Sequence, residues 1–185
     1  MVNKPKITRI KEIARTRLFK VEELDLTFSN GEKRTYERLV AGPRGAVMIV
    51  PILDNKYFVM IKEYSAGTED YQLAFPKGLM EEGESVFESA NRELKEEVGY
   101  GASKMISMKE MSLAPGYLTH KMNLVLAESL YKETLEGDEP EPLEVILFPL
   151  NDINKILEDE NFTEARSVAA LFLANKILSD RKNKF

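Results

Sequence analysis

Residues 78–100 read GLMEEGESVFESANRELKEEVGY. Ser85 followed three residues later by Glu88 is a capping-box pattern, and Val86, Ala90, Leu94 and Val98 recur every fourth residue until Gly99 supplies a helix stop. The spacing predicts a loop over 78–84 feeding a helix of about 14 residues. On that helix Glu93, Glu96 and Glu97 stand at i, i+3 and i+4, which places their carboxylates on one face within roughly 6 Å of each other. An oxygen-rich cluster of this kind suits Mg²⁺ or Mn²⁺. Like charges on a solvated helix cost only about 0.2–0.5 kcal/mol per pair, so the spacing of the three acids by itself leaves a metal face and a solubilising face both open.

Outward from this stretch the chain alternates strands and helices. Towards the N-terminus, Leu24, Leu26 and Phe28 alternate ahead of Asn30-Gly31, a hairpin signal of the type I′ kind. AVMIVPIL and KYFVMIKEY flank Asp54-Asn55 and predict two buried strands joined by a tight turn, with LAFPKG a short strand running into a loop. Towards the C-terminus, KMISMKEMSL, MNLVLAESLY and EVILFPL read as strands, separated by the loops APGYLTHK and KETLEGDEPEP. A last helix, FTEARSVAALFLANKIL, packs through Val168, Leu171, Phe172 and Leu178, and RKNKF is expected to fray. Strands alternating with two or three helices argue for an α/β or α+β domain.

Composition narrows the function classes. With 185 residues and 43% hydrophobic content the chain buries a real core. Thirty-one acidic against 26 basic side chains give a formal charge of −5, which opposes binding of long nucleic acid. The absence of cysteine excludes disulfides, thiolate catalysis and Cys-ligated zinc, and it fits a cytoplasmic protein. No apolar run approaches the roughly 20 residues that span a bilayer, so no membrane partner is expected.

The joint pattern decides between the two readings of the acidic helix. Gly78, Glu84, Arg92-Glu93, Leu94, Glu96-Glu97, Gly99 and Tyr100 fall at the fixed offsets of the Nudix box, and the stretch resembles that of the Nudix hydrolase superfamily. The resemblance implies a Nudix α/β/α sandwich with a mixed β-sheet, carrying a small N-terminal β appendage. It divides the chain into an appendage over 1–44, a hydrolase domain over 45–180 and a frayed tail over 181–185. It also implies Glu93 and Glu97 as principal Mg²⁺ ligands, with Mn²⁺ a substitute, and Glu96 as a further ligand or the holder of a water beside the ion. Glu84 and Arg92 are then a structural ion pair, and Gly78 and Gly99 turn glycines.

The flanks point to a substrate. Pro115, fifteen residues beyond Tyr100, resembles the mark of Nudix ADP-ribose pyrophosphatases, although a proline in a loop also serves as plain turn chemistry. Blocks such as FSNGEKRTYERL and LYKETLEGDEPEPL resemble the bacterial branch that hydrolyses ADP compounds. That resemblance implies Mg²⁺-dependent hydrolysis of ADP-ribose, diadenosine polyphosphates and NADH with release of AMP, by a homodimer that exchanges its N-terminal appendage. Arg38 aligns with a substrate-contacting Arg, and a solvated charge at a strand end is the competing reading. Ser65 stands where relatives often carry an Arg, leaving Lys62 as the nearby cation. The matching family loop supplies a catalytic Glu, which would fall at Glu139 or Glu141 here, and a solubilising charge run is the competing reading of the acidic loop. Two further readings remain open at this point: a silent module that senses an ADP-containing ligand, and a pyrophosphatase for nucleotide sugars.

Overall fold

Three antiparallel strands form the first sheet of the computed structural model, which describes residues 3–182: β1 (Lys6–Arg15), β2 (Lys20–Thr27) and β3 (Lys33–Val40), in the order β1-β2-β3. The sequence reading did not pick out β1. Its isoleucines fall three apart, neither a strand nor a helix period, because the strand carries register shifts between Ile7 and Arg9 and between Glu12 and Ala14. The first of these shifts brings Ile7 and Ile10 opposite Leu26 and Leu24 on one face.

The expected hairpin joins β2 to β3, but its turn is not type I′. Only Gly31 has a positive φ (87°), Gly31 N–H bonds Phe28 O at 3.0 Å, and Phe28 N–H bonds Glu32 O at 2.8 Å. The type I′ geometry appears instead at Asp54-Asn55, both at φ 53°, closed by Lys56 N–H to Leu53 O at 2.9 Å.

The chain divides into two compact units. The first takes the chain up to Gly45 together with Ser112–Lys121. Those ten residues fall within the expected hydrolase domain, yet Leu39 N–H bonds Tyr117 O at 2.7 Å and Thr119 N–H bonds Leu39 O at 3.0 Å, adding them to the end of β3.

The second unit, Ala46–Met111 with the chain from Met122 onward, carries the other elements. They are β4 (Ala46–Leu53), β5 (Tyr57–Ser65), β6 (Asp70–Ala74), β7 (Lys77–Leu79), α1 (Val86–Glu97), β8 (Tyr100–Ser112), β9 (Lys121–Lys132), β10 (Glu144–Pro149), α2 (Asn154–Leu157) and α3 (Ala165–Lys182). The main sheet runs β10-β5-β4-β9-β8, with β6 on β5 and β7 on β4. It is mixed, since β4 pairs β9 in parallel and β5 and β7 antiparallel.

Strand alternation makes β4 the wall between two helices. Val47 and Ile49 pack with Ala90, Leu94 and Val98 of the α1 region. Met48 faces the other way, with Ser167 Oγ of α3 at 3.9 Å from its sulfur. The result is an α/β/α sandwich. The buried stripe of α3 is Ser167, Ala170, Leu171 and Ala174, spaced i, i+3, i+4, i+7, so small residues bring the helix close and Phe172, expected inside, is 49% exposed. Of the expected tail, Arg181 and Lys182 stand at the end of α3, with Arg181 Nη1 donating to Glu128 Oε1 at 2.7 Å, and 183–185 lie outside the described residues. No described helix is long and apolar enough to cross a membrane.

Candidate active site

Helix α1 begins as the sequence predicts. Ser85 Oγ accepts from Glu88 N–H at 3.3 Å, and the Glu88 carboxylate accepts from Ser85 N–H at 2.8 Å, so two otherwise unpaired N–H groups are satisfied. At the other end Val98 N–H bonds Leu94 O at 3.1 Å, and Gly99 takes φ 77°, the left-handed conformation of a helix stop.

Arg92 is the hub of the polar face. Its Nε and Nη2 donate to the two oxygens of Glu84 at 2.8 and 3.0 Å, and Nη2 also donates to Leu79 O at 2.9 Å. Its Nη1 donates to Glu93 Oε1 at 2.8 Å and Glu96 Oε2 at 2.9 Å. The bidentate hydrogen bonds from Arg92 hold the Glu84 carboxyl down at about 2, outweighing partial burial, and fasten the loop before α1 to the helix.

Glu97 lies deeper, 7% exposed, with Oε2 accepting from Lys77 N–H at 3.0 Å. Desolvation pushes its carboxyl up to about 9; the charges of Glu63 and Glu93 push the same way, against the Lys77 ammonium and amide. Glu93 is raised as well, chiefly by burial, against Arg92 and with Glu96 and Glu139 adding repulsion.

Gly78 is not a turn glycine. It sits in β7 opposite Val47, and a Cβ built on it would lie 2.1 Å from the Glu93 carboxylate. Close approach of that side chain, rather than backbone freedom, is what requires glycine here.

Two neighbours escaped the sequence reading. Lys77 forms an ion pair with Glu63 of β5, and both act electrostatically on Glu97. Lys77 precedes Gly78 directly, which was the available signal; nothing local in IKEY marks Glu63, because sheet pairing alone brings it there.

The two acids of the 133–143 loop part company. Glu139 lies close enough to Glu93 to raise it, and Gly137 beside it would place a Cβ 3.5 Å from the Glu96 Cβ, so this part of the loop rests on α1. Glu141 instead accepts from Tyr71 Oη at 2.5 Å and shares a cavity of about 300 Å³ with Lys62. Arg38 and Pro115 belong to the first unit, where they line a cavity of about 380 Å³ with Tyr36 and Tyr117. Arg38 is paired rather than free, with Nε and Nη2 donating to Glu22 Oε2 at 3.0 and 2.8 Å. The carbonyl before Pro115, Ala114 O, accepts from Tyr117 and Leu118 N–H, which makes Pro115 part of a turn.

A family model for the Nudix domain matches residues 42–172, and one for the NudE-type Nudix hydrolase N-terminal domain matches residues 5–38. The chain belongs to the Nudix hydrolase family. Among Nudix relatives, the ADP compounds hydrolase NudE of Escherichia coli (strain K12) is 54% identical over 96% of this chain and 95% of its own length. The ADP-ribose pyrophosphatase of Bacillus subtilis (strain 168) is 30% identical over 87% of this chain and 90% of its own. A crystal structure of an ADP compounds hydrolase superposes with a TM-score of 0.92 at 52% identity, covering 98% of this chain and 97% of that one, so the sandwich is the Nudix fold.

Nudix hydrolases generally need a divalent metal, and the donor set here fits one by kind. The polar face of α1 offers carboxylate oxygens, two of them desolvated and raised, with one guanidinium shared among Glu84, Glu93 and Glu96. A divalent cation bound there would favour the ionised carboxylates that burial alone disfavours. Among the described residues no three acids or histidines converge on one point: Arg92 bridges Glu93 and Glu96, and Lys77 N–H holds Glu97.

Proposed function

We propose that this Nudix hydrolase cleaves the pyrophosphate of ADP-linked compounds, taking ADP-ribose, NADH and diadenosine polyphosphates and releasing AMP. The observation that carries the reading is the pair of desolvated carboxylates, Glu93 and Glu97, beneath a polar helix face in a chain more than half identical to an ADP compounds hydrolase. Mg²⁺ is the ion, with Mn²⁺ a substitute, held by Glu93 and Glu97 with Glu96 as a further ligand. Bound there, it neutralises charge building on the transferring phosphoryl group.

The remaining roles belong to the chain itself. Lys77 N–H aims Glu97, and the Glu84–Arg92 pair fixes the loop after β7 onto the helix. Glu139, resting against α1, takes a proton from the attacking water. In the first unit, Arg38 and the aromatic rings around Pro115 suit a planar base or a phosphate, and in the second Lys62 suits a phosphate. Purified protein with Mg²⁺ is expected to release AMP from ADP-ribose, NADH and diadenosine triphosphate in a parallel turnover panel. Survival of all three, or turnover of nucleotide sugars alone, sinks the substrate reading.

A homodimer is part of the same proposal, with the cytoplasm as its compartment. Ile7, Ile10, Ile13, Leu18 and Phe19 of the first unit are all at least 40% exposed, an apolar surface that a second copy covers. Sedimentation is expected to give a dimer, and Ile10→Lys to shift it toward monomer; a monomeric native chain contradicts the assignment.

A further inference from the structure

The loop between β9 and β10 is tied down at two ends. At its near end Glu133 N–H bonds Gly99 O and Leu135 N–H bonds Lys95 O, each at 3.2 Å, while Lys95 Nζ pairs with Glu133 at 2.9 Å. The second of these bonds uses a carbonyl in the last turn of α1, where the helix has no N–H of its own to offer. At its far end stands the hydrogen bond from Tyr71 Oη to Glu141 Oε1, at 2.5 Å a charge-assisted O–H···O⁻ contact. Between them lies Glu136-Gly137-Asp138-Glu139-Pro140, and a Cβ at Gly137 would meet both the Glu139 carboxylate, at 2.4 Å, and the Glu96 Cβ of α1, at 3.5 Å.

The chain chemistry between Glu139 and Glu141 transmits the far anchor. Glu139-Pro140-Glu141-Pro142 has two prolines of fixed φ, and each Glu precedes a proline and is driven to extended backbone. Where Glu141 is pinned, Glu139 has little freedom left. Gly137, on the other side, is a position where a Cβ would strike the Glu139 carboxylate at 2.4 Å, so the lack of a side chain there leaves room for Glu139. Tyr71 is itself braced: it pairs with Tyr64 across β5 and β6, and the rings meet edge-on with centroids 5.7 Å apart. Its phenol is raised above the usual value, first through the hydrogen bond to Glu141.

We propose that Tyr71 and Glu141 form a latch that positions Glu139 over α1. Both act through Glu139, and the inference rests on the reading of Glu139 as the group that takes the proton. It also changes what Glu141 does. Of the two acids in the loop, one is the base and the other is its anchor.

The test uses the full chain. In Tyr71→Phe, which keeps the ring and its packing on Tyr64, kcat for ADP-ribose is expected to fall about tenfold with KM changed less than about twofold, the pattern of an interaction made in the transition state. Backbone amide order parameters over 136–139 are expected to fall in the same variant. In a Glu139→Gln background, Tyr71→Phe is expected to cost nothing further. Glu141→Ala should match Tyr71→Phe, and Glu141→Gln, which keeps an acceptor oxygen, should recover part of the loss. Unchanged loop order parameters in Tyr71→Phe, an equal loss with and without Glu139, or a Glu141→Ala loss far beyond that of Tyr71→Phe each overturns the latch. Wild-type turnover in Glu139→Gln alone defeats the base assignment instead, and the latch is then judged on the loop order parameters.

Discussion

Glu97→Gln is expected to lower kcat by on the order of 10²–10³ while leaving the fold intact. The amide nearly conserves volume and still offers an oxygen to Lys77 N–H, so the bond that aims the side chain survives. What disappears is the negative charge that a divalent ion requires. The same substitution has an opposite effect on the metal-free protein. Glu97 holds its proton up to about 9 in the folded state and loses it near the ordinary carboxylate value when unfolded, so the folded state binds more protons between those limits. Metal-free stability therefore falls as pH rises from about 4.5 to about 9, and Glu97→Gln removes that slope. Melting curves without metal across pH 5–9 should show the variant at or above wild type at the alkaline end. Adding Mg²⁺ should stabilise wild type increasingly as pH rises, because the ion replaces a proton. Near-normal turnover in the variant would remove Glu97 from the site.

Gly78→Ala is the second large effect, on the order of 10² in turnover. The added methyl would fall 2.1 Å from the Glu93 carboxylate, and it meets the far end of a flexible side chain rather than backbone. The cheap response is for Glu93 to swing away, so β7 and its pairing with β4 persist while the carboxylate leaves its position. Circular dichroism and melting close to wild type, together with weakened Mg²⁺ binding by calorimetry, is the expected pair of results. Unaltered metal binding would mean that Glu93 has no fixed place to keep.

How much of this was legible beforehand depended on whether the deciding interaction was local. The cap at Ser85, the stop at Gly99 and the shared face of Glu93, Glu96 and Glu97 all follow from helix periodicity within one segment. Strand β1 stayed hidden because its register shifts break the period on which a strand is recognised. Gly78 was legible as a required glycine but not for its reason, which is a side chain fifteen positions away. Glu139 and Glu141 were inseparable in sequence, two acids in one acidic loop; Tyr71, seventy residues from Glu141, tells them apart. Glu63 and Lys77 meet only once β5 and β7 are assembled on β4.

Strand β4 makes the chain far less tolerant of insertion in one place than in others. It pairs with β5, β7 and β9 at once, and its residues alternate between the α1 face and the α3 face. One extra residue near Val47 would turn Ile49 toward α3 and also shift the partner of Gly78, moving that glycine off the Glu93 carboxylate. Loss of core and loss of site would arrive as a single event. The accuracy with which the carboxylates are held is thus inherited from strand register, and length variation in such a chain is confined to its loops.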